Sequence, residues 1–150
     1  MSCIKRDTTD GLRFEEEVVI SEEGIDVSKR KLYRYIEEQG KYWRDAISRK
    51  LEPDKAFITP DKLLKVYEIK FQQTDGSVDE KITTCAFKLK EFKRIARLLE
   101  LKDATYTYIL SDWFRQPKYK DALDFIKESG CDYYFESDRK LAVLNDQFFV

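Results

Sequence analysis

The clearest hydrophobic pattern in the chain lies in residues 65–73, KVYEIKFQQ, where apolar and polar positions alternate. This alternation predicts a β-strand, because successive side chains of a strand point to opposite faces of its sheet. One face would be apolar, and we expect it to pack on the core: Tyr67, Ile69 and Phe71. The other face would carry a mostly polar row: Val66, Glu68, Lys70 and Gln72. Such a row is either an ordinary solvent-facing surface or a functional site.

The rest of the chain predicts a mixture of helices and strands. Apolar residues at helical spacing indicate helices over residues 28–50, 86–101 and 118–129. Runs rich in β-branched and aromatic residues indicate strands over residues 55–59, 65–73, 105–110 and 132–136. Residues 15–20 predict a short N-terminal strand or hairpin, and residues 77–84 predict a third strand or a loop. We therefore expect an α/β fold with a mixed central β-sheet flanked by α-helices.

Length and composition favour one domain over residues 1–150. The chain has 150 residues, of which 42% are hydrophobic, enough for a single core. No apolar run approaches the roughly 20 residues that cross a bilayer, and MSCIKRDTTDG lacks the apolar segment of a signal peptide. The three cysteines are widely spaced and match no disulfide framework or zinc knuckle, which favours reduced thiols. We expect a cytoplasmic protein.

The absence of histidine narrows the possible chemistry most. With no histidine in the sequence, the Ser-His and Cys-His hydrolases, imidazole-zinc hydrolases and histidine-dependent nucleases are excluded. Carboxylates and lysines remain for acid, base and metal chemistry.

The charge is distributed unevenly, although the formal net charge is only −1. Residues 29–50 contain eight cations against three anions, and residues 88–102 contain six against two. Basic segments of this kind are what binding to a phosphate backbone requires, although solvated helix faces have a similar composition.

Two carboxylates are separated by a predicted hairpin. Asp54 follows Pro53 at the start of the first hairpin strand, and a turn near Pro60 would bring Asp54 close to Glu68. Adjacent carboxylates repel each other unless a cation joins them, and Mg²⁺ prefers carboxylate oxygens with several waters. Lys70 would lie on the same face, where its charge can stabilise an anionic transition state.

These residues resemble the motif of the PD-(D/E)xK nuclease superfamily: Pro53-Asp54, a strand-turn-strand, then Glu68-Ile69-Lys70. The resemblance covers residues 28–136, and FQQTDGSVDEKI, ILSDWF and KYKDALDFI look most like type II restriction endonucleases. It implies a restriction-endonuclease-like fold in which Asp54 and Glu68 bind Mg²⁺ and the Ile69 carbonyl is a possible further ligand. It also implies that Lys70 is catalytic and that Gln72 has an orienting role.

The resemblance further implies a Mg²⁺-dependent endonuclease that cuts double-stranded DNA and leaves 5′-phosphate ends. Because cutting a duplex needs one site for each strand, we expect a homodimer. The alternatives are a structure-selective nuclease, such as a Holliday-junction resolvase or a nicking repair enzyme, and a catalytically inactive DNA-binding module. The family often supplies another acidic residue from the first helix. We assign it to Glu38, with Glu37 as the alternative; Gln39 lies closest to the centre of the apolar stripe.

Several other residues have both a structural and a functional interpretation. We expect Asp61 to be a turn residue rather than a metal ligand. Asp79, Glu80 and Lys81 are expected to pair or cap within a loop, with phosphate contact as the alternative. Asp112 and Trp113 are expected to pack at a strand end, with Trp113 or Arg115 facing DNA as the alternative. The aromatic residues of DYYFE are expected in the core.

Overall fold

The computed structural model of the protein describes residues 22–72 and 81–138. The strands are β1 (Ile25–Asp26), β2 (Lys55–Ile58), β3 (Leu63–Lys70), β4 (Asp103–Leu110) and β5 (Asp132–Phe135). The α-helices are α1 (Lys31–Glu38), α2 (Cys85–Leu98) and α3 (Lys120–Glu128). Short 3-10 helices span Trp43–Asp45, Asp112–Arg115 and Pro117–Tyr119. None of the helices in the described ranges is long and apolar enough to cross a membrane.

The five strands form one mixed sheet in the order β1-β2-β3-β4-β5. The pairs β1-β2 and β2-β3 are antiparallel, whereas β3-β4 and β4-β5 are parallel. Parallel neighbours need a crossover connection, which α2 provides between β3 and β4 and α3 provides between β4 and β5. The predicted α/β architecture, a mixed sheet flanked by helices, is confirmed.

The predicted hairpin is formed by β2 and β3. Its antiparallel register runs from Lys55 opposite Tyr67 to Ile58 opposite Leu64. In the turn, the Lys62 N–H donates to the Thr59 carbonyl at 2.9 Å, and Lys62 adopts a left-handed φ of 65°.

The predicted helix over residues 28–50 is wrong in its length, because α1 ends at Glu38. Gly40 has a φ of 72°, in the left-handed region that glycine enters without strain, and so the chain leaves the helix there. The N–H of Lys41 still closes onto the carbonyl of Ile36 at 3.1 Å, which satisfies an orphan carbonyl at the helix end. The aromatic residues after Gly40 therefore lie in a separate 3-10 turn.

The boundaries of the other described helices and strands agree with prediction to within a few residues. The predicted strand over residues 15–20 lies outside the described residues, as do residues 73–80. Residues 81–84 are helical or in a turn, so the end of the predicted third strand is not a strand. β5 is an edge strand: its Tyr133 and Phe135 pack against the main core, as expected, but Tyr134 is 47% exposed.

The main hydrophobic core lies between α2 and one face of the sheet. Leu64 and Val66 of β3 are fully buried on this face, and Tyr106 pairs with Val66 in the neighbouring strand. The ring of Phe92, from α2, stacks on Tyr106 with centroids 5.8 Å apart. Helix α2 therefore covers the face that also carries Glu68.

The expectation that Tyr67, Ile69 and Phe71 form the core face is wrong. Ile69 and Ile109 form only a small second cluster, with Tyr67 packed against it. The physical reason is that α2 packs on the opposite face of the sheet. Which face is covered depends on the path of the β3-α2-β4 connection, and the alternation of residues within β3 does not determine it. The polar row is consequently continuous with the main core instead of facing solvent.

Candidate active site

The hairpin register places Asp54 and Glu68 side by side. Lys55 pairs with Tyr67, so the next step of the same antiparallel register sets Asp54 opposite Glu68. Side chains of residues directly opposite each other in such a pair lie on the same face of the sheet. In addition, the Ile69 N–H donates to Asp54 Oδ2 at 2.9 Å, which fixes the Asp54 carboxylate against β3. The predicted convergence of the two carboxylates is confirmed.

Burial makes these two carboxyl groups unequal. Glu68 is only 9% exposed, and this burial, followed by the negative charge of Asp54, raises the pKa of Glu68 to about 8. Burial also opposes ionisation of Asp54, but interactions with Glu68, the Ile69 N–H and Lys29 outweigh it and lower the pKa of Asp54. Near neutral pH the pair therefore holds one proton, with the negative charge on Asp54.

Lys29 supplies a counterion to Asp54 from the loop that precedes α1. Its Nζ lies 3.0 Å from Asp54 Oδ1, and its own side chain is half exposed. The main chain of Lys29 adopts a left-handed φ of 53°, and its N–H donates to the Pro53 carbonyl at 2.7 Å. The start of α1 is thus bonded directly to the segment that carries Asp54.

Two further lysines approach Glu68. Lys70 lies two residues along the same face of β3, and Lys88 projects from the first turn of α2. The charges of both lysines favour ionisation of Glu68 and so oppose the rise in its pKa. Burial, followed by the charge of Lys70, lowers the pKa of Lys88. The site is therefore a buried acid pair between cations from three different elements.

Lys29 and Lys88 were not predicted as site residues, only as members of basic segments. The sequence could have indicated Lys88, because it lies four residues before Phe92 and seven before Ile95, both fully buried on α2. This spacing places Lys88 on the face of the helix that packs against the sheet. Lys29 gave no signal, because its contact with Asp54 joins residues 25 positions apart through two loops.

The structure does not bring the predicted helix acid to this site. Glu38 is exposed at the last position of α1, whereas Lys29 precedes the start of the same helix. Eight helical residues span about 12 Å, which separates the two ends. Glu37 and Gln39 are exposed as well. In the part of the chain that the structure describes, no cluster of three or more acidic or cysteine side chains could hold a metal ion.

Ile69 contacts the carboxylate pair through its N–H, whereas Gln72 lies beyond the end of β3 and contacts Ser111. The Gln72 N–H donates to Ser111 Oγ at 3.2 Å, and that hydroxyl donates to the Gln72 carbonyl at 3.2 Å. The Ser111 N–H also donates to the Lys70 carbonyl at 3.1 Å, so the end of β3 is fixed to the end of β4. The orienting role of Gln72 and the role of the Ile69 carbonyl as a metal ligand remain predictions.

The competing candidates have structural roles. The Thr59 hydroxyl donates to Asp61 within the hairpin turn, as expected for a turn residue. At the end of β4, Trp113 Nε1 donates to the Tyr119 hydroxyl at 2.9 Å, which agrees with strand-end packing.

Arg115 is engaged in the same strand-end region. It bonds Asp112 at 3.0 Å and lies over the ring of Phe135 at 4.2 Å. Lys81 is exposed, and Asp79 and Glu80 lie outside the described residues.

The donor set fits Mg²⁺. Proteins commonly hold this ion through one or two carboxylates while it keeps several waters, and Asp54 and Glu68 provide two adjacent carboxyl groups. Burial and then the charge of Asp54 raise the pKa of Glu68, and a bound cation would offset both effects by stabilising the ionised carboxylate. Comparison with protein-family models, curated proteins and solved structures found no match to this chain. The function of the site therefore has to follow from its own residues.

Proposed function

We propose that the protein is a Mg²⁺-dependent DNA endonuclease with a PD-(D/E)xK-type site on a restriction-endonuclease-like fold. The single observation that carries this proposal is the placement of Asp54 and Glu68 side by side on the β2-β3 hairpin, with Lys70 on the same face. A five-stranded mixed sheet flanked by helices is consistent with such a fold.

Each residue has a distinct role in this proposal. When bound, Mg²⁺ would act as a Lewis acid on the phosphate and would lower the pKa of a water. Asp54 and Glu68 would hold the ion, and the Ile69 N–H keeps the Asp54 carboxylate in a fixed orientation. Lys70 would stabilise the negative charge that develops at phosphorus, and Lys88 would add a second positive charge from α2. Hydrolysis by in-line attack of water would leave a 5′-phosphate.

The proposed substrate is double-stranded DNA. Two segments with a local excess of cations flank the site, and their members Arg34, Lys41, Lys90 and Arg97 are all exposed. Exposed cations can reach and neutralise phosphates, which releases the counterions condensed on the DNA. Cutting both strands requires one site for each strand, so a two-fold homodimer acting as a type II restriction endonuclease is the simplest assembly.

The second candidate is a structure-selective nuclease on the same fold, such as a junction resolvase or a nicking repair enzyme. The observation that favours it is an open cavity with an aromatic wall, lined in part by Glu52, two residues before Asp54. Base faces are accessible to aromatic side chains only where the strand is unpaired.

The test uses plasmid DNA, a blunt linear duplex and a four-way junction, each with Mg²⁺ or EDTA. We expect Mg²⁺-dependent cleavage that leaves ligatable 5′-phosphate ends and is lost in Asp54→Asn. Asp61→Asn is the matched control, because it changes the turn aspartate of the same hairpin and should retain activity. Cleavage of the junction alone would favour the second candidate. Binding without cleavage would indicate a DNA-binding module without catalysis, and neither binding nor cleavage would refute the proposal.

A further inference from the structure

A second concave site is lined by residues that adjoin Lys29 and Asp54 in the chain. It is a cavity of about 530 Å³, lined by α1, the 3-10 turn after it and the segment that leads into β2. Arg30 and Glu52 form part of its wall and lie 3.5 Å apart. Arg30 follows Lys29 and Glu52 precedes Asp54 by two residues, so the cavity and the carboxylate pair share both of these segments. The volume falls within the range of roughly 300–1,000 Å³ that is typical of small-ligand sites.

Three aromatic rings form one wall of this cavity. Trp43 meets Tyr33 edge to face with centroids 6.0 Å apart, and Tyr42 lies 6.2 Å from Trp43 on the other side. The Tyr33 hydroxyl accepts the Leu51 N–H and donates to the Leu51 carbonyl, each at 2.6 Å, so this ring is fixed. Tyr42, in contrast, is 52% exposed. The wall therefore combines one ring held in place, Tyr33, with one exposed ring, Tyr42, on which a planar ligand can stack.

The cations of the cavity outnumber its anions. Arg30, Arg34, Lys41 and Lys50 line it, against Glu37 and Glu52. The Lys50 ammonium lies 5.1 Å from the centroid of Tyr33 and 5.4 Å from that of Trp43, so a cation already occupies the aromatic surface. Exposed cations beside aromatic faces are the combination by which proteins bind single-stranded nucleic acid.

We propose that this cavity binds an unpaired nucleotide of the DNA substrate, with its base stacked on the exposed ring of Tyr42, next to Trp43, and its phosphate bound by Arg34 and Lys41. Bases within a duplex expose only their edges, so the cavity selects DNA that carries a single-stranded segment, such as a flap, gap or junction. This inference deepens the second candidate function, the structure-selective nuclease, and rests on it for the role of the strand as substrate. Binding itself requires no cleavage.

The test measures binding in EDTA by fluorescence anisotropy, with labelled oligothymidylate and a blunt hairpin duplex as probes. We expect the single strand to bind at least tenfold more tightly than the duplex. Tyr42→Ala should weaken single-strand binding roughly tenfold, as expected for a lost base–aromatic stack. Tyr134→Ala is the matched control, because Tyr134 is similarly exposed, at 47%, on the edge strand β5. It should leave the affinity unchanged.

A second measurement reports on the cavity in a protein whose aromatic wall is intact. The sequence has two tryptophans, Trp43 and Trp113, so Trp113→Phe leaves Trp43 as the only one. Oligothymidylate should quench the remaining emission in Trp113→Phe but leave the emission of Trp113 in Trp43→Phe unchanged. Quenching of Trp113 alone would overturn the assignment of the cavity.

Two other outcomes would also overturn the inference: equal affinity for single strand and duplex, or an equal loss in Tyr42→Ala and Tyr134→Ala. Single-strand binding in EDTA without cleavage in Mg²⁺ would refute the proposed endonuclease and retain the cavity. Duplex cleavage without single-strand binding would support the proposed endonuclease and refute nucleotide binding by the cavity.

Discussion

The carboxylate pair and the aromatic cavity share two chain segments but differ in how their charges are compensated. Each oxygen of Asp54 has a defined partner, at 3.0 Å from Lys29 and 2.9 Å from the Ile69 N–H, and Glu68 is buried beside it. The cations of the cavity are exposed, and water and salt screen them. Substitutions in the pair should therefore change chemistry, metal affinity and stability together, whereas substitutions in the cavity should change binding alone.

The largest expected effect separates catalysis from binding at the buried site. Lys70→Ala should slow cleavage about a hundredfold or more, because it removes roughly 3 kcal/mol of transition-state stabilisation. Folding and DNA binding should remain nearly unchanged. Lys65→Ala is the control on the other face of β3, where Lys65 lies 3.6 Å from Glu22. Single-turnover cleavage rates provide the measurement, and near wild-type rates for Lys70→Ala would show that this lysine has no catalytic role.

A second effect tests the proton held by the acid pair. Because the pKa of Glu68 is raised to about 8 in the folded protein, from 4.5, the native state binds more protons than the unfolded state between those values. Stability therefore falls as pH rises through this window in metal-free buffer. Glu68→Gln removes this loss and should stabilise the protein by on the order of 2 kcal/mol at pH 8, and by less at pH 5.

Chemical denaturation at both pH values measures this difference. Glu91→Gln is the matched control, because Glu91 is also buried but lies 3.6 Å from Arg94. It should not stabilise the protein at either pH. A Glu68→Gln variant that is less stable than wild type at pH 8 would contradict the proposed protonation of the pair.

A smaller effect concerns the competition between Lys29 and Mg²⁺. Lys29→Met removes a cation that lies 3.0 Å from Asp54 Oδ1, so Mg²⁺ should bind about two- to fivefold more tightly, the range expected for a partly exposed ion pair. Lys31→Met is the control, because Lys31 forms an ion pair of the same 3.0 Å length with Asp26. Calorimetric titration with Mg²⁺ measures both variants. Weaker binding in Lys29→Met would instead make Lys29 a residue that positions Asp54.

The smallest effects concern single exposed cations. Charge reversal of Arg34 or Lys41 in the cavity, or of Lys90 or Arg97 on α2, should flatten the log–log dependence of affinity on salt by about 0.9 per lost phosphate contact with duplex DNA. Binding is measured in Ca²⁺, to permit binding without cleavage. The cavity cations should matter most for single strands, and the α2 cations for duplex. An affinity for DNA that does not depend on salt would contradict phosphate binding by these segments.

The sequence predicted the β2-β3 hairpin and its carboxylates well because both depend on local chemistry. A Pro-Asp turn and two apolar runs define the hairpin, and its register follows from the turn, so Asp54 and Glu68 meet as expected. The error in α1 is also local: the apolar stripe continues beyond Gly40, but the left-handed conformation of this residue ends the helix.

The buried face of the sheet and the surrounding lysines could not be predicted in the same way. Both faces of β3 carry apolar residues, and only the packing of α2 decides which of them forms the main core. Lys29 reaches Asp54 through the contact of two loops, and no periodicity within either loop reports it. The cavity depends likewise on the end of α1 at Gly40, which lets Tyr42 and Trp43 leave the helix.

The double hydrogen bond of the Tyr33 hydroxyl to the main chain of Leu51 has a consequence for regulation. It ties a wall of the cavity to the chain three residues before Asp54, which provides a physical connection between the two proposed sites. Thermodynamic linkage then requires reciprocity: whatever factor a bound nucleotide imposes on the affinity for Mg²⁺, the ion imposes on the affinity for the nucleotide.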